Sequence, residues 1–334
     1  MEAVTSPLDL LRARGIGFGS AIVVYVLLTA AALTLLVGCL ASARFASLTV
    51  QGVAVGAAYG GLALALVLIY RATHVINYAQ GELAMLTTYV AYQLVQWGLS
   101  YWEAFFATLA IAFLLGTALQ VAIIRPVQHR SVIATVIVTV GLFILIDGIV
   151  NWIWGADIKV LQSPFGTASW DVGGVEIQHL YVGMLGVVFA SVVVVWALFR
   201  FTKVGLGMRA AALRPAAASL VGVRVEWMLA LGWGFAAVLG AVAGLMYEPS
   251  QLLLTPTLMQ QALVFAFAAA VLGGLDSPGG AVVGGLAIGV FVELLGGYLP
   301  QVISLNVPFA FAVLLAILLV KPSGLFGRRE VSRV

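Results

Sequence analysis

Ten apolar runs of about 17 to 24 residues, split by short polar stretches, make up most of this 334-residue sequence. Runs of that length match the thickness of a hydrocarbon layer crossed by a helix. In lipid the backbone must satisfy its own N–H and C=O groups, which leaves helices and closed barrels. A membrane barrel would show short strands of alternating polar and apolar residues. No such alternation is present here, so helices are expected. Composition agrees: 63% of residues are hydrophobic, 9% are charged and the mean hydropathy is +1.13. Soluble domains carry about 25% charged residues, too many for this chain to resemble one. The expected fold class is all-α and polytopic, with about ten spans at 20–40, 49–70, 81–97, 104–124, 131–154, 181–200, 228–247, 258–274, 279–297 and 305–321.

Charge placement orients such a chain. With these spans, 14 of the 16 basic residues fall on one side, and only Arg44 and Lys159 on the other. The basic side is expected to be cytoplasmic and to hold both termini. Those basic residues lie between apolar runs and form no stripe, so a nucleic-acid partner is not expected. One cysteine, Cys39, excludes an internal disulfide framework. Residues 1–45 form a leading segment. Its Leu36-Val-Gly-Cys39 resembles a lipoprotein cleavage box, and Ala41-Ser-Ala43 a signal-peptidase site. Its apolar core exceeds the usual signal-peptide length, which favours an uncleaved first span. Residues 46–334 form the main domain.

Within that domain four features stand out. Arg71, His74, Asn77, Gln80 and Glu82 place strongly polar groups within twelve residues, and Gly81 permits a break. The 70–81 stretch is either a plain loop or a re-entrant, broken helix. A broken helix with polar groups at membrane depth recurs in transporter pathways; an architectural turn is the plainer alternative. Glu82 would fall in the first turn of the next helix, favoured by the helix dipole and able to cap free N–H groups. Asp147 and Glu293 stand alone on their spans, where an interhelical hydrogen bond accounts for each. On the cytoplasmic side, residues 200–227 are basic and hold a short helix started by Pro215 and ended near Gly222, either a docking element or a linker drawn to lipid headgroups. Glycines repeat every four residues at Gly52, Gly56 and Gly60, at Gly240 and Gly244, at Gly280 and Gly284, and at Gly285 and Gly289. Such faces let helices pack closely in lipid. The three histidines are far apart and no Cys/His pair has zinc spacing, so no metal site or cofactor is expected. The stretch Gly273 to Gly280 lacks the Lys-Ser/Thr of a phosphate loop, so any ATP chemistry belongs to a partner and the chain itself is not an enzyme.

Four stretches, in order, resemble the permeases of branched-chain amino acid ABC importers. Val75-Ile-Asn-Tyr-Ala-Gln-Gly-Glu-Leu83 is similar to their "INFAHGE" signature, and Gly273 to Gly285 to their "GGxGSxxGAxxGG" element. Lys321-Pro-Ser-Gly-Leu-Phe-Gly327 resembles their "RPxGLFG" ending, and Gly207-Met-Arg-Ala210 with Ala217 to Gly222 their coupling segment. The resemblance implies a subunit that pairs with a second, homologous permease and two cytoplasmic ATP-binding subunits, and takes solute from an extracytoplasmic binding protein. It implies a path or gate at Asn77, Tyr78, Gln80 and Glu82, and ATPase contact at Arg209, Arg214, Ala217, Ala218 and Gly222. Gly284 and Gly285 join Gly52, Gly56 and Gly60 as packing positions. The chain departs from the pattern where Gln80 replaces the motif histidine and Ala216 an acidic residue, and where Asp276 and Pro278 alter the glycine-rich element. Transport by alternating access of branched-chain or other small amino acids is therefore expected. A urea or short-amide permease, an ion-coupled secondary transporter using Glu82, Asp147 and Glu293, and a non-transporting scaffold are the alternatives.

Overall fold

The computed structural model describes residues 43–73, 75–128, 130–299, 301, 307–308, 311–312, 315 and 324–327. The expected first span, the Cys39 box, His74, His129 and Lys321 lie outside these residues, as does most of the expected tenth span. The described chain is a helical bundle. Its first helix, α1 (Ala43–Thr73), is followed by α2 (Gln80–Gln96) and α3 (Tyr101–Leu119). A π-turn at Gln120–Ile124 carries α3 into the short α4 (Arg125–Gln128). Then come α5 (Val132–Trp154), a hairpin of β1 (Ser169–Val172) and β2 (Val175–Gln178), and α6 (His179–Phe201). Two short helices, α7 (Lys203–Leu213) and α8 (Pro215–Leu220), precede α9 (Val225–Gln251), α10 (Leu258–Gly273) and α11 (Pro278–Tyr298). Among the described residues, six helical stretches are long and apolar enough to cross a membrane: α1, α3 with its continuation through α4, α5, α6, α9 and α11. α2 and α10 are shorter, with 17 and 16 residues.

Local chemistry sets the helix ends. Ser100 and Glu103 form a reciprocal capping box at the start of α3. Ser131 caps α5, Thr202 caps α7 and Ser277 caps α11, each accepting from the backbone N–H three residues on. Pro215 opens α8, and Gly222, with φ +85°, turns the chain after it. The start and stop expected for that helix match. The preceding α7 was not anticipated, because its weak amphipathic pattern in 203–213 reads as loop.

The bundle has two chemically distinct ends. Arg71, Arg200 and Arg209 line one cavity, and Arg125 pairs with Glu226 at the same end. At the opposite end the Arg44 guanidinium donates to the Gly297 carbonyl (2.7 Å), and Lys159 forms an antiparallel bridge with Leu254. The segment 155–180, expected to be a loop, carries the β1–β2 hairpin. Gly173 and Gly174 both take positive φ at its tip, and Asp171 accepts from the Gly174 N–H (2.8 Å). This is the two-residue turn that matches the twist of paired strands. The hairpin is a small β addition to the all-α expectation.

The core lies between α1, α9, α10 and α11, with α2 enclosed by α3, α5, α9 and α10. α1 and α11 approach through backbone. A Cβ on Gly56 would lie 2.7 Å from the Gly285 carbonyl oxygen, and one on Gly60 3.0 Å from that of Val282. Gly52 meets Val290 in the same way, and Gly284 lies against Ala269 of α10. Without a hydrophobic drive between helices in lipid, such close contact supplies the dispersion that holds them together.

Candidate functional site

Three observations locate the polar break in depth. α9 has 27 residues, so it is about 40 Å long. The Gln80 side chain donates to the Ala236 carbonyl (3.0 Å). Ala236 lies eleven residues beyond Val225, about 16 Å from the arginine-rich end. α1, by contrast, runs to that end, since Arg71 and Ala72 line the cavity there. Residues 75–79 therefore return inward, and α2 starts near the middle of the bundle. α10 starts at a similar depth, because a Cβ on Gly81 would lie 3.1 Å from the Met259 carbonyl oxygen and 3.0 Å from the Leu263 Cβ. Of the two sequence alternatives for 70–81, the geometry is the re-entrant one. Non-helical backbone at this depth is tolerated where protein surrounds it, and Asn77, Ala79 and Gln80 are each 0% exposed.

Polar side chains hold this turn together. Asn77 Oδ1 accepts from the Ala79 N–H (3.1 Å), and its amide donates to Gln80 Oε1 (3.2 Å). Gln80 then passes the chain of bonds to α9 through Ala236. Glu82 does not join it. Its carboxylate is fully buried in the first turn of α2, yet neither oxygen meets a donor with hydrogen-bond geometry, although Gln260 faces it from the first turn of α10. The expectation that Glu82 caps free N–H groups is corrected: Asn77 serves the turn, and α2 has no side-chain cap. Neither Asp147 nor Glu293 makes a side-chain hydrogen bond among the described residues, so the interhelical bond expected for each is not seen there.

Tyr78 is set apart. It is 39% exposed and stacks on Phe267 of α10 at 5.7 Å, while Asn77, Gln80 and Glu82 point inward. Gly240 and Gly244 of α9 make room for α2: a Cβ on the first would lie 2.7 Å from Gln80 Nε2, and one on the second 3.0 Å from the Ala84 carbonyl.

Two polar groups escaped the sequence reading. Glu248, fully buried near the end of α9, accepts from the Leu161 N–H (3.1 Å) and fastens the 155–168 loop to the bundle. Its signal was present: an acid inside an apolar run, directly before Pro249. Gln120 is buried in the π-turn with no partner among the described residues, one helical turn beyond the point where Gly116 meets the Trp233 backbone. Nothing in its local sequence marks a π-turn.

At the arginine-rich end, α8 lies on α7. Leu213, Leu220 and Val221 are 74%, 88% and 79% exposed. Ala217 and Arg214 also face out, Ala218 packs inward, and Arg209 lines the nearby cavity. The glycine-rich element is a packing corner: Gly273 and Gly280 touch through backbone, Ser277 accepts from the Gly280 N–H, and Leu325 and Phe326 donate to the Leu272 and Gly273 carbonyls.

A mostly helical, multi-pass bundle with a buried polar break and a polar corner at one end is the build of a membrane transport subunit. Comparison with known proteins gives the family. Residues 48–318 match the family model described as branched-chain amino acid transport system / permease component, and the chain belongs to that family. It is 30% identical over 299 residues to the high-affinity branched-chain amino acid transport system permease protein LivH of Salmonella typhimurium, covering 85% of this chain and 96% of that one. It is 27% identical over 304 residues to the permease protein BraD of Pseudomonas aeruginosa, with the same coverage. A probable LivH of Methanocaldococcus jannaschii is 27% identical over 281 residues, covering 80% and 87%. No solved structure matches the chain. The protein is thus a multi-pass permease of the cell membrane.

Proposed function

We propose that this chain is the permease subunit of an ATP-driven importer for branched-chain or other small amino acids. The observation that carries the reading is the re-entrant turn at Asn77 to Glu82, with a buried carboxylate at mid-depth that meets no donor with hydrogen-bond geometry among the described residues. A static scaffold gains nothing from such a group, whose burial costs free energy unless it is hydrogen-bonded. A subunit that changes its packing during transport can meet it with solute, water or a new donor in another state. The relatives' names supply the substrate class, and most selectivity rests with an extracytoplasmic binding protein.

In this reading the arginine-rich end is cytoplasmic, both termini lie there, and about ten spans complete the bundle. Residues 1–45 carry the first span and 46–334 the permease domain, with 200–227 as its coupling segment. Two cytoplasmic ATP-binding subunits and a second, homologous permease complete the assembly. Arg214, Ala217 and Gly222 meet an ATPase, and Arg209 and Ala218 seat the coupling helices. ATPase closure moves α7 and α8. The glycine-packed helices then rock around the break at Asn77, Tyr78, Gln80 and Glu82. The ATPase drives the change only because it holds α8 differently in its two states.

The test is reconstitution. In liposomes the full assembly with binding protein takes up radiolabelled leucine only with internal ATP, and the chain alone takes up none under a proton gradient. Uptake by the lone chain, driven by protons, would establish an ion-coupled carrier instead. Full uptake after Asn77→Ala combined with Glu82→Gln would establish a scaffold.

A further inference from the structure

A second site lies away from the polar break, at the arginine-rich end. A cavity of about 330 Å³ opens between α1, α6, α7, α9 and α11. Its wall is apolar, built from Leu64, Leu68, Val192, Val195, Phe199 and Val282 among others. Three arginines line its end, Arg71 in the last turn of α1, Arg200 in the last turn of α6 and Arg209 on α7. None of the three forms an ion pair among the described residues. Pro278 and Gly279 bring the positive end of α11 to the same place.

Depth and access fix the kind of occupant. Leu64 lies two turns from Arg71, so the apolar wall reaches about 10 Å below the charges. Val193 and Trp196 on the α6 wall are 41% and 58% exposed, so the cavity opens sideways from the bundle as well as at its end. α6 is a peripheral span, with 17% of its apolar window buried. A free anion would gain nothing from the apolar wall, and an apolar solute nothing from three cations. Charge above and hydrocarbon below, with a sideways entrance at the membrane face, suit an amphiphile.

We propose that this cavity binds one anionic phospholipid of the cytoplasmic leaflet, its phosphate between Arg71, Arg200 and Arg209 and one acyl chain along Leu64, Leu68 and Val282. The site is built by α7 on one side and by α1 and α11 on the other. Bound lipid therefore ties the coupling segment to the glycine-packed pair. The sidedness rests on the orientation in the reading above, but binding itself does not.

The experiment uses the full assembly in nanodiscs, extracted gently and weighed by native mass spectrometry. With phosphatidylglycerol, one lipid per permease chain survives extraction. With phosphatidylcholine, none does, even with added inorganic phosphate. Arg71→Gln with Arg200→Gln weakens retention roughly 30-fold, the factor expected for two basic groups at about 1 kcal/mol each. Arg71→Lys with Arg200→Lys keeps most of it. Gly232→Leu leaves every charge in place and fills the cavity, since a Cβ there meets only the Met208 terminal methyl at 3.6 Å, and it expels the lipid. Equal retention of the two lipids, or retention untouched by both the glutamine pair and Gly232→Leu, overturns the proposal. So does efficient cross-linking of Val193→Cys to another subunit, because protein would then cover the entrance. If the glutamine pair fails to assemble, Gly232→Leu decides alone.

Discussion

Glu82 and Glu248 are both buried carboxylates, and their partners separate them. Glu248 accepts from the Leu161 N–H through one of its oxygens, so it has work in the folded state. Glu82 meets no donor with hydrogen-bond geometry among the described residues, with only Gln260 facing it, so its burial is a burden that stability alone does not explain. Removing each carboxylate should therefore give opposite signs. Glu82→Gln removes a buried carboxylate with no well-placed donor, and the thermal midpoint of the detergent-purified assembly should hold or rise. Leucine uptake should fall by roughly tenfold or more, equivalent to about 1.4 kcal/mol of barrier. A drop in both together would mark Glu82 as structural. Glu248→Ala deletes an acceptor and strands a buried N–H, which costs about 1–3 kcal/mol. The 155–168 loop should then open, seen as faster hydrogen exchange at Leu161. Gln80 bridges Asn77 and Ala236 within one element and across to another. Gln80→Leu leaves both unsatisfied and should cost about as much as the loss at Glu248, read as a lower thermal midpoint.

Between elements, backbone contact decides the outcome. Gly56→Ala puts a methyl 2.7 Å from a carbonyl oxygen and 2.9 Å from the Leu286 Cα, neither of which can swing aside. Overpacking of this kind costs about 1–3 kcal/mol. Gly141→Ala on α5 meets nothing within 4 Å and should change stability by less than about 0.5 kcal/mol. Comparable thermal midpoints for the two variants would show that the α1–α11 seam is looser than described. The i, i+4 spacing made this seam readable in the sequence, because a four-residue repeat places glycines on one helix face whatever the partner. The identity of the partner was not readable, since spacing within one helix says nothing of its neighbour. The same division runs through the site. Clustered polar residues before Glu82 announced a break, and Pro215 and Gly222 announced α8. That α2 and α10 both begin at mid-depth depends on which residues of α9 they meet, such as Gln80 at Ala236, and no local pattern encodes that. α7 and the hairpin escaped for a different reason: apolar runs dominate a membrane sequence and hide weaker signals beside them.

Across the whole molecule, the proposed coupling requires force to travel from the arginine-rich end to mid-depth, and the described contacts supply one connected route. α8 sits on α7, α7 packs against the ends of α6 and α9 through Gly205 at Phe199 and Gly207 at Met228, and α9 carries Ala236, which Gln80 grips. A push on α8 thus reaches the break through rigid helix and one amide hydrogen bond. Leu220 and Val221, both largely exposed, are the first link, and an ATPase would cover them. Leu220→Asp with Val221→Asp places two charges on that surface, and burying either unpaired against a partner is strongly unfavourable. The permease alone should fold and keep its thermal midpoint, because neither side chain packs inward. ATPase should dissociate during size-exclusion chromatography, and ATP-dependent uptake should fall to background. Gln80→Ala tests the last link of the same route. There the ATPase stays bound and hydrolyses ATP, while uptake per ATP drops, because the push arrives at α9 and goes no further. If uptake per ATP were unchanged in that variant, coupling would have to reach the break by another path, through α10 and its contact with Gly81.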